Sequence, residues 1–168
     1  DDVRRGDAVS RFLVEATRAR LLERVTLDRL DVEAVRELAE QLTGEPLSDS
    51  ALARMQTRAE GVPFFVEELA DCSTGPLPDG LRDVLLTRFD RLGDDARHVV
   101  QVASGAERPL AHSLLADLAA LPEMRLDAAI REAARSGILV VENDLYRFRH
   151  ALLREAVHDD LLPGERAR

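Results

Sequence analysis

Two short segments carry groups that could contact a ligand. Gly61, Val62 and Pro63 separate two apolar-periodic segments, and His150 directly follows an alternating segment that ends with Arg149. A proline ring has no N–H donor and offers a flat apolar surface on which a purine could pack. A histidine beside free helix N–H groups, with Arg149 as a second cation, could bind a phosphate. Each segment could therefore contribute to a nucleotide site, the first through its apolar surface and the second through its cations.

Both segments also have purely structural explanations, which the sequence leaves open. Gly61 can end one helix and Pro63 can begin the next. His150 can be a capping or half-buried structural histidine at the junction between a strand and a helix. Tyr146 and Phe148, which share the strand face of His150, are most simply core residues.

Several enzyme classes are disfavoured by residue types that the chain lacks. All 23 basic residues are arginine, so no lysine is present to hold a phosphate, form a Schiff base or activate a nucleophile. The sequence has no P-loop motif, nucleophile elbow or H-E-x-x-H motif. Cys72 is a lone thiol, and the other histidines have no partner at metal spacing. We therefore assign no catalytic residue and no metal site.

Adjacent carboxylates give no reason to change that assignment. Glu67 with Glu68, and Asp159 with Asp160, fall on predicted helices. Neighbouring helical residues point about 100° apart, so neither pair can converge on one ligand by itself. We interpret all four as solvated charges.

Composition predicts a cytoplasmic globular protein that is part of a longer polypeptide. Among 168 residues there is one cysteine and a net charge of -9. A single cysteine excludes a disulfide framework, and the acidic balance is unlike that of a tight nucleic-acid binder. No apolar run approaches the roughly 20 residues of a membrane span. The first residue is not methionine, so we expect a fragment of a longer polypeptide. The first residues do not resemble a signal peptide, so we expect no membrane partner.

Apolar periodicity predicts a mainly α (α+β) fold whose first half is helical after a short α/β remnant. A helix over Ala8–Arg20 and a strand over Glu23–Leu27 come first. Asp31, Ser48 and Asp79 are predicted N-caps, and Gly44 is a predicted helix end. With Pro63 as a helix start, these signals predict a four-helix bundle.

The second half has a different order of elements. Three helices are predicted over Asp94–Ala103, Leu110–Ala119 and Pro122–Ser136. Strands Ile138–Glu142 and Leu145–Arg149 follow, joined by Asn143 and Asp144 in a tight hairpin turn. A final helix ends at Pro163. Three helices followed by a β-hairpin are typical of a winged-helix domain, in which the hairpin is the wing.

The order and spacing of these segments resemble the signal-transduction ATPases of the STAND class. The resemblance is carried by Gly-Val-Pro-Phe-Phe-Val-Glu-Glu-Leu at 61–69 and Arg-Phe-Arg-His-Ala-Leu-Leu-Arg-Glu-Ala-Val at 147–157. More closely, the chain is similar to the AAA-like ATPase core of large LuxR-type bacterial transcriptional regulators. It is also similar to related ATPase modules fused to nucleotide cyclases.

The resemblance implies three segments. Residues 1–29 would be the end of the P-loop nucleotide-binding domain, 30–92 a helical lid, and 93–168 a winged-helix domain. Gly61 and Pro63 would match the family's Gly-x-Pro motif, whose proline packs against adenine. His150 would match the histidine that contacts the β-phosphate of ADP. Val62 replaces the asparagine common in the family, which leaves the proline contact intact.

The family's Walker A and Walker B motifs are missing, so we expect this chain to be no enzyme and to hold no nucleotide tightly by itself. The parent would be a slow ATPase switch that binds ATP or ADP with Mg²⁺. Its expected partners are the missing P-loop domain, other copies of itself, and DNA through a separate C-terminal domain.

Three other functions stay open: a direct DNA-binding winged helix, an ATPase module that regulates a fused cyclase, and a protein-interaction module without a ligand. DNA reading would use the third helix and the wing arginines Arg147 and Arg149. Acidic residues are interspersed on that helix, and Glu142 and Asp144 offset the wing arginines, which is weak support for phosphate contacts.

Overall fold

The computed structural model describes residues 8–23, 25–70 and 75–166, without the side chain of Ser10. This part of the chain is mainly helical and contains one small antiparallel sheet. The helices are α1 (Ala8–Arg18), α2 (Val32–Thr43), α3 (Asp49–Ala59), α4 (Pro63–Ala70), α5 (Asp79–Phe89), α6 (Asp94–Ser104), α7 (His112–Ala119), α8 (Glu123–Arg135), α9 (Ala151–Asp160) and α10 (Pro163–Arg166). The strands are β1 (Leu110–Ala111), β2 (Leu139–Glu142) and β3 (Leu145–Phe148).

Local signals set most helix boundaries in the first half of the chain. The Asp31 and Ser48 side chains accept hydrogen bonds from the amides of Ala34 and Ala51, as expected of N-caps. Gly44 ends α2 in the left-handed conformation with φ 72°. The prediction for Asp79 was wrong, since Pro78 holds the N-cap position of α5 and no side chain caps it.

The predicted strand at Glu23–Leu27 was also wrong. Residues 23 and 25–27 have no regular secondary structure, and Arg24 lies outside the described residues. Val25 and Leu27 are 74% and 89% exposed, so no core is present to select an extended strand there. Alternation of apolar residues is a weak signal when the segment has no neighbour to pair with.

The sheet has the order β1-β3-β2, with both pairs antiparallel. Asn143 and Asp144 connect β2 to β3 with φ 51° and 60°, which confirms the predicted hairpin turn. β1 was not predicted. It pairs Leu110 with Tyr146, and with two residues it is too short to show a period.

One continuous apolar core joins the helices from α2 to α9. Its members include Val35 on α2, Val66 on α4, Val99 on α6 and Leu152 on α9, none of them more than marginally accessible. The α9 helix packs against both α3 and α5. This packing brings the start of α9 to the turn between α3 and α4. In the described part of the chain, every helix is too short or too polar to span a lipid bilayer.

Candidate functional site

The turn between α3 and α4 is built from two consecutive residues with positive φ. Glu60 has φ 51° and ends α3, and Gly61 follows with φ 70°. The Gly61 carbonyl accepts a hydrogen bond of 2.8 Å from the Leu30 amide. A Cβ atom on Gly61 would lie 2.3 Å from the Leu30 carbonyl oxygen, so only glycine fits. The turn is thus fixed against the segment before α2.

Pro63 occupies the first position of α4, as predicted, and its side chain is exposed. A proline is well suited to this position because its missing N–H has no helical partner there. The next residue, Phe64, is 43% exposed, whereas Phe65 is buried and turned inward. Pro63 and Phe64 therefore present an apolar surface at the start of α4.

His150 lies beside this turn, although 87 positions separate it from Pro63. Its ring contacts Phe65 edge to face, with ring centroids 5.5 Å apart. His150 is in extended conformation at the N-cap position of α9, and its side chain makes no capping hydrogen bond. The capping role considered for this histidine is therefore wrong, and the half-buried role fits its 27% exposure.

The hydrogen-bond acceptor at the start of α9 comes from Glu60. The Ala151 amide donates to Glu60 Oε1 at 3.2 Å. The same carboxylate binds Arg29, whose Nη1 lies 2.9 Å from Oε2. His150 Nδ1 is buried and lies 3.4 Å from Oε2, at ion-pair distance but without the alignment of a hydrogen bond. We call Glu60, Arg29, His150 and the Ala151 amide the Glu60 cluster.

The electrostatics of the cluster favour an ionised Glu60. Burial is the largest single influence on this carboxyl and acts to raise its pKa. His150, Arg29 and the Ala151 amide together outweigh burial, so the pKa of Glu60 lies below its ordinary value. The start of α9 therefore already carries an anion from the chain itself.

Arg149, predicted as a second cation for a phosphate, has no described contact with the Glu60 cluster. Its backbone amide donates to the Ile138 carbonyl at 2.9 Å. Its Nε atom is buried and has no hydrogen-bond partner in the described residues. The alternation of side chains along β3 explains the separation, because neighbouring residues of an extended segment point to opposite faces.

A cavity of about 180 Å³ adjoins Glu60 and the first turn of α9. Three arginines, Arg108, Arg147 and Arg154, line it together with Glu107 and Tyr146. Arg147 binds Glu142 at 2.6 Å, and Arg154 donates to the Ser104 carbonyl at 3.3 Å. Within the described residues Arg108 has no hydrogen bond or ion pair. The cavity therefore places the guanidinium groups of Arg108 and Arg154 beside the Glu60 cluster, together with the carboxylate of Glu107.

Ion pairs from α3 and α5 connect α9 to the helices before residue 92. Arg58 on α3 binds Glu155 with both ends of its guanidinium, at 2.6 and 3.1 Å, and both side chains are mostly buried. Arg82 on α5 binds Asp160 at 2.7 Å in a more exposed setting. Together with the Glu60 cluster, these pairs hold α9 against α3 and α5.

Sequence reasoning missed Glu60 and Arg29. Neither residue was singled out from the sequence, because the contacts of Glu60 at the start of α9 lie far along the chain. The signal that was available is that His150, at a predicted helix start, cannot supply the oxygen acceptor that an N-cap usually provides. Some other acceptor was therefore needed.

Within the described ranges, no three His, Cys, Asp or Glu side chains are grouped in a way that could hold a metal ion. Cys72 lies outside the described residues.

Comparison of the chain with protein-family models, with curated proteins and with solved structures gives no match. The sequence and the geometry of the Glu60 cluster therefore carry the functional argument.

Proposed function

We propose that this chain is the lid and winged-helix part of an ATP/ADP-switched transcriptional regulator. The observation that carries the proposal is that His150 contacts the residues on either side of the Gly61-Val62-Pro63 segment, Phe65 through its ring and Glu60 at 3.4 Å. These are the two segments that the sequence singled out for contact with a base and with a phosphate. A common ligand is one reason for two distant segments of this chemistry to meet.

The order of elements supports the same proposal. Residues 30–92 contain α2 to α5, as a helical lid would. Residues 93–166 follow the order α6-β1-α7-α8-β2-β3-α9-α10, with a two-residue turn between β2 and β3. In a winged helix a short strand follows the first of three helices and a hairpin wing follows the third, which is the order from α6 to β3. In the proposal, the boundary between the two parts lies between residues 92 and 93.

Exposed apolar residues near the start of the chain support the proposal that residues 1–29 pack against another domain. Phe12 on α1 is 64% exposed, and Leu21 is 78% exposed. Val25 and Leu27 add to this surface. A surface of this kind is typical of a segment that packs on another domain. A P-loop domain in the same polypeptide is the partner that the proposal requires.

In the proposed mechanism ADP lies between that domain and the lid. Pro63 packs on the base and His150 holds the phosphate end, which keeps α9 and its ion pairs in the closed arrangement. Exchange for ATP with Mg²⁺ removes the His150 contact, and the winged helix rotates to permit self-association. Such a switch needs only a ligand that binds the closed and open states with different affinity.

The test is ADP retention in the polypeptide that contains the upstream residues. His150→Ala should weaken ADP retention after desalting at least tenfold and raise basal transcriptional activity. His158→Ala is a matched control, because His158 lies at the other end of α9. Equal ADP retention by the parent and the His150 variant would reject the role of His150. An upstream sequence without a Walker A motif would reject the proposal as a whole.

Direct DNA binding is the second candidate, favoured only by the order of the elements from α6 to β3. The arginines that would contact phosphates already have partners: Arg125 on α8 binds Asp95, and Arg147 on the hairpin binds Glu142. Phosphate contacts would have to compete with these pairs. Saturable binding of duplex DNA by this chain at physiological salt would favour this function over the nucleotide switch.

A further inference from the structure

The carboxylate of Glu60 occupies the position at which an anionic ligand would meet His150 and the start of α9. It accepts the Ala151 amide hydrogen bond and lies within ion-pair distance of His150 and Arg29. A helix N-terminus and a cation are the groups that a phosphate uses in proteins. The chain supplies its own anion to these groups.

We propose that Glu60 is an intramolecular competitor that keeps phosphate groups away from His150 and the Ala151 amide until it is displaced. The inference rests on the proposed function, because it concerns the phosphate end of the same site. It adds a regulatory residue that neither predicted motif contains. Binding of the phosphate and release of Glu60 become one event.

The turn before α4 makes this competition strong. Glu60 is held by the neighbouring Gly61, which lies against the Leu30 backbone, and by Arg29 on the same segment. A tethered group of this kind has an effective concentration on the order of millimolar or higher at its target. A free phosphate compound must exceed that concentration or bind additional groups.

The adjoining cavity supplies those additional groups. Arg108 and Arg154 line it together with Glu60 and Ala151, whereas the third lining arginine, Arg147, already binds Glu142. An anion that enters it approaches the Ala151 amide from the side of the arginines. Displacement of Glu60 would then exchange one anion at the helix start for another.

Displacement would also loosen the connection between the two halves of the fold. The contacts of Glu60 with His150 and Ala151 join the α3–α4 turn to α9. The ion pairs of Arg58 with Glu155 and of Arg82 with Asp160 also join these halves and do not depend on Glu60. The ligand's phosphate would have to replace the lost contacts to keep the closed arrangement.

The experiment titrates inorganic pyrophosphate into this chain and follows the His150 ring proton by NMR, assigned with His150→Gln. Glu60→Gln keeps the size and the acceptor oxygen but removes the charge. We expect it to bind pyrophosphate at least tenfold more tightly than the parent chain. The gain should disappear in the Glu60→Gln, His150→Gln double variant, in which an Ala151 amide shift replaces the ring signal.

Glu107→Gln is the matched control, because Glu107 lines the same cavity and has no hydrogen bond or ion pair in the described part of the chain. If both variants gain affinity equally, the effect is one of overall charge and the competition is rejected. The competition is also rejected if Glu60→Gln shows no gain. A gain specific to Glu60, with ADP retention in the longer polypeptide independent of His150, would instead reject the proposed function and leave the competition standing.

Discussion

Replacement of Gly61 by alanine should cost far more stability than the same change at Gly44. Both glycines are left-handed, with φ of 70° and 72°. An L-residue in this conformation costs roughly 1–2 kcal/mol. At Gly44 nothing lies within 4 Å of an added Cβ, so the conformational cost of about 1 kcal/mol is the whole effect.

At Gly61 the added Cβ would lie 2.3 Å from the Leu30 carbonyl oxygen, a backbone atom that cannot rotate away. Relief requires movement of the segment before α2. That movement breaks the hydrogen bond of 2.8 Å between Leu30 and Gly61, worth about 1 kcal/mol. With the backbone shift added, the total for Gly61→Ala is about 3 kcal/mol.

Urea unfolding followed by far-UV circular dichroism measures this difference. With a slope of about 2 kcal/mol per molar, the midpoint should fall by about 0.5 M for Gly44→Ala and about 1.5 M for Gly61→Ala. Equal shifts for the two variants would show that the contact between Gly61 and Leu30 is not a constraint. That contact could then not be what positions Glu60.

Two further predictions concern charges. Arg58→Met leaves the mostly buried Glu155 without its bidentate partner and should lower the free energy of unfolding by about 2 kcal/mol. Arg82→Met removes a more exposed ion pair and should lower the free energy of unfolding by at most about 1 kcal/mol. Urea midpoints compare the two, and equal losses would contradict the assigned burial. The pKa of Glu60 is lowered from 4.5, so its ionised form stabilises the fold above pH 4.5 and this contribution is lost as pH falls through the lowered value. The stability difference between the parent and Glu60→Gln should therefore shrink as pH falls below 4.5, and a difference that grows over that range would contradict it.

The sequence was a good guide where the signal is local. Helices α2 and α3 begin at the predicted caps Asp31 and Ser48, and α2 ends at Gly44, through contacts within four residues. The predicted turn is formed by Asn143 and Asp144. These positions are decided by backbone conformation and nearby hydrogen bonds. They depend little on the rest of the fold.

Predictions failed where the deciding contact lies far along the chain. β1 exists because Leu110 pairs with Tyr146, which no local period reveals. Val84 lies three positions after the buried Leu81, a helical spacing, but is 58% exposed. Spacing predicts which residues share the apolar side of a helix. The elements that pack against the helix decide which of those residues are buried.

The residue at position 60 illustrates the same division at the candidate site. Backbone conformation alone would favour glycine or asparagine there, because φ is 51°. Glutamate has a conformational cost at this position, and the structure shows three contacts of its carboxylate that offset it, with Arg29, His150 and Ala151. A positive φ alone does not indicate a functional side chain. Ala120 has φ 50° at the end of α7, and its methyl group can make no polar contact. Glu60 differs from Ala120 because its disfavoured backbone conformation is combined with an ionised, partly buried side chain that lies at the start of α9. The contacts of the carboxylate explain this combination better than the turn alone does.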